Sequence, residues 1–291
     1  MIDIYSILPA LLALLSACLF AIANQVIGVG LEMLDNRSGT LINISTTAFM
    51  FWLLAPFFLQ WDYWWTHAAL LFALAGIVQP ALSVTLATEG IKRLGPTLHS
   101  GLAATNPLFA VLLAVLILGE TVTWPIAIGT GAIIAGTIIS AQNRGHGGSL
   151  HWPLWALLLP LGAAFFRASS LSLVKLGFEE IPSPLFAVLV TYSVSFIIIS
   201  ANFSLSRHRL PRFNSGYKWF FFAGILNGAS ILSLSFAAKI GQIVTIAPIS
   251  ACTPIISMLL SLFVFRREVI TWQIVLALLL VVPGIIFVVI Q

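Results

Sequence analysis

Charge is what this 291-residue chain has least of: 8% of its residues are Asp, Glu, Lys or Arg, against 60% hydrophobic, with a mean hydropathy of +1.07. So few polar groups cannot coat a soluble surface, which excludes a water-soluble globular domain and points to a bilayer. Cysteine is almost missing. Cys18 and Cys252 both fall inside apolar runs, where a thiol behaves as a small hydrophobe, so there is no disulfide framework and no thiolate metal set. The five histidines, His67, His99, His146, His151 and His208, are scattered among run ends and breaks without metal-site spacing. No resident metal or cofactor is expected. The short "GHGG" at Gly145 to Gly148 lacks the length and the preceding strand of a phosphate loop. No Lys or Arg precedes the first apolar run, and that run continues without an A-x-A-like site, so a retained first helix is expected rather than a cleaved signal.

What is present is a series of long apolar stretches. They fall at roughly 7–30, 39–59, 67–89, 97–118, 124–142, 153–176, 184–204, 217–238, 243–265 and 271–290, each about the length that crosses hydrocarbon. A barrel strand would alternate polar and apolar residues, and these stretches are apolar on every face. The expectation is an all-α membrane protein of ten transmembrane helices. The Gly-rich break at 143–152 divides it into five-helix units at 1–142 and 153–291. The units resemble each other: "TNPLFAVLLAVLILGETVTW" (Thr105 to Trp124) matches "CTPIISMLLSLFVFRREVITW" (Cys252 to Trp272), pairing Pro107 with Pro254 and Glu120 with Glu268. An odd number of spans per unit makes the second enter from the opposite side, so the repeat is an inverted one.

The duplicated five-helix unit, the proline in its fourth helix and the Gly-Glu or Arg-Glu at that helix's end resemble the EamA group of the drug/metabolite transporter superfamily, over essentially the whole chain. The resemblance implies carriage of a small solute, drawn from a superfamily that moves amino acids, nucleotide sugars, sugar phosphates, amphipathic drugs and lipid-linked groups. The small multidrug-resistance relatives use a membrane-embedded Glu in their first helix to exchange protons for cationic drugs. Ile7 to Leu31 contains no acid, which disfavours that exchange here.

The net charge of +4 does not call for nucleic acid, because the basic residues sit in breaks between runs. The odd-numbered loops hold Arg37, Lys92, Arg93, Arg144, Arg207, Arg209, Arg212, Lys218, Arg266 and Arg267, while Lys175 and Lys239 lie near helix ends facing the even ones. By the positive-inside rule the odd loops are cytoplasmic and both termini face outward, against the family norm. "WDYWW" at Trp61 to Trp65 then marks the outer interface, and the plasma (inner) membrane is the expected location.

Arg167 interrupts a greasy run, and Gln79, Asn106 and Asn227 fall near the same depth, with Tyr192 slightly off it. A centred arginine costs about 2.5 to 3.5 kcal/mol on the insertion scale while each Leu or Phe returns about 0.3 to 0.6. The helix can therefore insert, but the cation needs a partner. One reading makes Arg167 the clamp for a substrate carboxylate or phosphate, which its planar fork suits. The other ties it to carbonyls freed near Pro107 or Pro254, or lets it snorkel along Ser169 and Ser170. Gln79 beside Pro80 and Asn106 beside Pro107 serve either as cavity lining or as helix packing glue. Asn24 in the first run is a further cavity candidate. Glu120 and Glu268 are expected to cap the helices that follow them, Lys175 and Glu179 to form an i,i+4 pair, and His99 to offer a vestibule group for proton coupling.

The expected function is secondary transport, not enzyme catalysis, of a small organic solute bearing a carboxylate or phosphate, amino acids included, by alternating access around a midplane site. The substrate-binding set is Arg167, Asn24, Gln79, Asn106, Tyr192 and Asn227. The expected partners are a small-molecule substrate and the lipid bilayer, with a coupling ion or proton left open and no nucleic acid. A flippase for a lipid or lipid-linked headgroup is the alternative. An intramembrane lipid-modifying enzyme would need a nucleophile with a base, or a metal cluster, at one depth, and the sequence places neither there.

Overall fold

The computed structural model describes residues 4–142, 154–206, 210–211, 214–263 and 272–289. The expected linker 143–152, most of the basic stretch 207–213, and Arg266, Arg267 and Glu268 lie outside the described residues. Among the described residues every regular element is helical. The first half contains α1 (Ile4–Leu31), α2 (Asn36–Leu54), α3 (His67–Gly76), a π-helical turn (Ile77–Leu82), α4 (Ser83–Ala103), α5 (Asn106–Leu118) and α6 (Trp124–Gln142). The second contains α7 (Leu158–Glu180), α8 (Pro184–Leu205), α9 (Gly216–Ile240), α10 (Ile243–Ser250), α11 (Thr253–Phe263) and α12 (Trp272–Val289). Six stretches are long and apolar enough to cross a membrane, and four shorter apolar helices occupy the places of the other expected runs.

One expected boundary moves. The break anticipated between 89 and 97 is helical, because the polar residues there satisfy one another along α4: Arg93 Nε donates to Glu89 Oε1 at 2.7 Å, and Lys92 Nζ lies 3.7 Å from Glu89 Oε2. The chain breaks instead at Ala104–Thr105, just before Pro107, and again at Ala251–Cys252, just before Pro254. Proline fits the first turn of a helix and not its interior, so each one starts a new segment.

Hydrogen bonds show how the halves are related. Ser230 Oγ donates to Ser16 O (2.8 Å), and Ser83 Oγ donates to Ala163 O (3.0 Å). Ser83 to Ser230 and Ser16 to Ala163 are both separations of 147 positions, so one bond is the other with the halves exchanged. Thr47 Oγ1 to Gly224 O (2.7 Å) and Ser195 Oγ to Gly76 O (2.7 Å) form a second exchanged pair, 148 positions apart. The glycines follow the same rule: Gly30 faces the ring of Phe220, and Gly177 faces the ring of Phe72. An operation that sends each half onto the other in this way is a two-fold rotation. The change from 148 to 147 requires one extra residue in the first half between Gly76 and Ser83, the interval that holds the π-helical turn. A π turn bonds i to i+5 and so absorbs one residue more than an α turn.

The helix ends gather at two faces. At one, Ala68 N–H donates to Glu180 Oε2 (2.7 Å), Lys175 Nζ donates to Ala238 O (2.7 Å) and Gly241 O (2.6 Å), and Glu120 accepts from Ile243 N–H and Val244 N–H (2.9 Å each). Two expectations are corrected there. Lys175 does not pair with Glu179, because the carbonyls ending α9 give it fixed, partly buried acceptors. Glu120 caps α10 of the other half rather than the helix that follows it in sequence, since the donors of α10 start beside it. At the opposite face Asn214 Nδ2 donates to Met33 O (2.8 Å), and the Arg93 guanidinium lies 4.7 Å from the Trp155 ring. Because α7 and α9 end at the same face while α1 runs antiparallel to α9 through Leu12 to Ser233 and Ser16 to Ser230, the equivalent helices α1 and α7 run in opposite directions.

Candidate functional site

Where the two broken helices and the π turn meet, the packing leaves a cavity of about 760 Å³. That volume lies in the range of small-molecule sites. Its walls are made by α1, α4, α5, α6, α7, α8, α9, α10 and α11, with the π turn between α3 and α4. All six sequence-selected residues line it: Asn24, Gln79, Asn106, Arg167, Tyr192 and Asn227.

Local structure explains how each reaches the cavity. Gln79 sits in the π turn with φ −146° and ψ 134°, a non-helical backbone that turns the residue out of the helical ladder. Asn106 begins α5 at the Pro107 break. Asn227 lies on the regular helix α9, where its Nδ2 donates to Asn43 Oδ1 at 2.9 Å. The carbonyl oxygens of Gln79, Asn106 and Asn227 are buried and accept no hydrogen bond among the described residues. Such amides are costly to bury unpaired, and a polar guest or water in the cavity would relieve them.

Arg167 stands on α7 and is exposed, although it lies within the protein, because its accessible surface faces the cavity. Its guanidinium carbon lies 5.6 Å from the Phe20 ring centroid, a cation–π contact that consumes none of its five N–H donors. Among the described residues it has no ion pair and no hydrogen-bond acceptor, and the described lining contains no carboxylate. Among the described residues, the carbonyls near the proline breaks are not its partners. At an effective dielectric of 20, an anion 4 Å away gains about 4 kcal/mol from such a cation, so the field of the cavity favours a negatively charged group.

The sequence-selected set leaves out Phe20, Gln25 and Ser257, which also line the cavity, and His99, expected in a vestibule, lines it as well. Gln25 Nε2 donates to Ser257 O (2.7 Å) and Ser257 Oγ (2.9 Å), tying α1 to α11. His99 is buried, with Nδ1 packed against Gly90 and without a partner among the described residues. Phe20 carries no polar signal in an apolar run, but it stands 147 positions before Arg167, the separation that also relates Pro107 to Pro254. That alignment is the signal that finds it.

The EamA-like transporter family model matches twice, over residues 7–142 and 154–290. The chain belongs to the EamA-like transporter family. This EamA-like protein is therefore a multi-pass membrane transporter of the drug/metabolite transporter superfamily, laid out as two family repeats, and the family is one of transporters rather than enzymes. A solved structure described only as "Crystal structure of protein" shares its fold, with a TM-score of 0.77 at 15% identity, covering 97% of this chain and 95% of its own. No curated protein matches the EamA-like chain in sequence.

Proposed function

We propose that this EamA-like protein is a secondary carrier for a small organic solute bearing a carboxylate or phosphate, amino acids among them. The solute binds in the Arg167 cavity and is exposed to the two sides in turn as the halves rock against each other. The single observation that carries the reading is Arg167 itself: a cation held inside the lipid span with its donors unspent, in a cavity whose described walls hold no counter-charge. Asn24, Gln79, Asn106, Tyr192 and Asn227 supply hydrogen bonds and shape. The chain crosses the bilayer ten times as two inverted five-helix units at 1–142 and 153–291, a layout supported by the opposite directions of α1 and α7. The face carrying Arg37, Lys92, Arg93 and Lys218 is cytoplasmic by the positive-inside rule, which leaves both termini outside a plasma (inner) membrane. A proton or ion gradient drives the cycle, or none does.

The test is uptake into proteoliposomes of a panel of anionic, zwitterionic and cationic small solutes. Wild type is expected to concentrate or exchange an anionic or zwitterionic member, and Arg167→Ala to lose at least about tenfold in apparent affinity, as truncating one side of a buried charge pair does. Unchanged uptake by a folded Arg167→Ala protein would sink the reading. Movement of a labelled anionic lipid, with no soluble solute carried, would replace it by the flippase.

A further inference from the structure

We infer that the anion subsite lies on the two-fold axis relating the halves, so that the guanidinium holding the anion can be supplied from α1 as well as from α7. This rests on the reading of Arg167 as the anion holder.

The argument begins with pairs of equivalent residues. Ser83 and Ser230, Ser16 and Ala163, and Pro107 and Pro254 all stand 147 positions apart, and the first two pairs exchange partners in matching hydrogen bonds. Phe20 and Arg167 are separated by the same 147 positions. They are therefore each other's mates. A two-fold rotation sends a residue to its mate at equal distance on the far side of the axis, so mates that touch must flank the axis. Phe20 and Arg167 touch, with the guanidinium carbon 5.6 Å from the ring centroid, and both line the cavity.

Two consequences follow for binding. The first concerns number: one cation and one aromatic ring at the axis make a site for a single anionic group, carboxylate or phosphate. A second guanidinium at the mate position would face the first with like charge. The second concerns the ring. Phe20 supports the guanidinium through its π face and leaves the N–H fork free for the guest, where a hydrogen-bonding residue at the same position would compete for those donors. A site on the axis is also equally related to both halves, so the anion keeps its partner while either mouth opens. Which of the two helices carries the charge should then matter little.

The experiment exchanges the mates in the full-length chain purified in detergent. The probes are radiolabelled benzoate, an aromatic carboxylate suited to a mostly apolar wall, and inorganic phosphate, each followed by equilibrium dialysis. Wild type is expected to bind at least one probe, and Arg167→Phe to bind it at least about tenfold more weakly. Phe20→Arg combined with Arg167→Phe is expected to recover most of the lost affinity on a logarithmic scale. A folded double variant that binds no better than Arg167→Phe overturns the axial placement while leaving Arg167 as the anion holder. Failure of wild type to bind either probe, or full binding by Arg167→Phe, removes the reading of Arg167 and this inference with it. Should the exchanged chain not fold, Phe20→Lys with Arg167→Met, whose flexible stems repack more readily, serves in its place under the same outcomes.

Discussion

The third span of each half begins from the same plan and ends differently. In the second half it is α9, an uninterrupted helix from Gly216 to Ile240. In the first half it is α3, the π turn and α4, with Gln79 outside helical geometry. Anchors on either side of the turn, Gly76 with Gly224 and Ser83 with Ser230, pair across the halves and keep the same hydrogen bonds, so the scaffold tolerates the change. The difference falls on the cavity wall. Gln79 stands 148 positions before Asn227; both side-chain carbonyl oxygens lack a partner among the described residues, but Asn227 Nδ2 donates to Asn43 Oδ1 while the Gln79 amide makes no hydrogen bond among them. A nearly symmetric frame thus presents an asymmetric surface, which a chain needs if a solute without two-fold symmetry is to bind on the axis.

Four measurements break or sharpen this comparison. Deleting Val78, which does not line the cavity, shortens the π turn by its extra residue while keeping Gln79, and should convert the first half's third span to the pattern of α9. The expected outcome is a folded, monodisperse protein whose uptake in proteoliposomes is abolished; retained uptake would make the π turn incidental. Next come the crossing glycines. A Cβ at Gly76 would meet Thr191 O, and one at Gly224 would come within 2.7 Å of both Asn43 O and Thr46 Cβ. Gly76→Ala and Gly224→Ala should each destabilise the protein by about 1 to 3 kcal/mol through overpacking, read as the midpoint of thermal unfolding in detergent. Similar losses support equal packing of the two halves, and a loss at only one site breaks it.

A smaller effect is expected at the face where Glu120 caps α10. Glu120→Ala leaves Ile243 N–H and Val244 N–H without their acceptor and should cost about 1 kcal/mol, the usual value of an N-cap. The smallest pair is Ser83→Ala against Ser230→Ala. Ser83→Ala removes one interhelical hydrogen bond, worth about 0.6 kcal/mol within a membrane protein, whereas Ser230→Ala also removes the 3.1 Å contact with Ser16 Oγ and should cost more. Equal losses would show that the Ser16 hydroxyl adds nothing to the exchanged bond.

Much of the site was legible beforehand because polarity in hydrocarbon is rare: Arg167, Gln79, Asn106 and Asn227 stand out against runs of Leu, Ile and Phe, and the cost of burying them sends them to a common interior. What could not be read locally depends on partners far along the chain. Glu120 caps a helix that starts 123 positions later, and Lys175 closes one through the carbonyl of Ala238, 63 positions later, so the i,i+4 rule pointed to the wrong neighbour for Lys175. The helical link at 89–97 was hidden for the opposite reason. Its charges look like a loop when counted by composition and behave as a helix when Glu89 is placed one turn from Arg93.

The amino-acid pattern alone determines that this protein is an apolar, all-helical, duplicated chain carrying one cation deep in its hydrocarbon span, because burial cost and helical length depend only on composition and local order. The tertiary structure alone decides that Arg167 meets Phe20 rather than a carbonyl, that Gln79 leaves the helix while Asn227 does not, and that the ends of one half are capped by the other. Those outcomes depend on which surfaces pack against each other, and packing is set by shape across the whole fold rather than by the residues on either side.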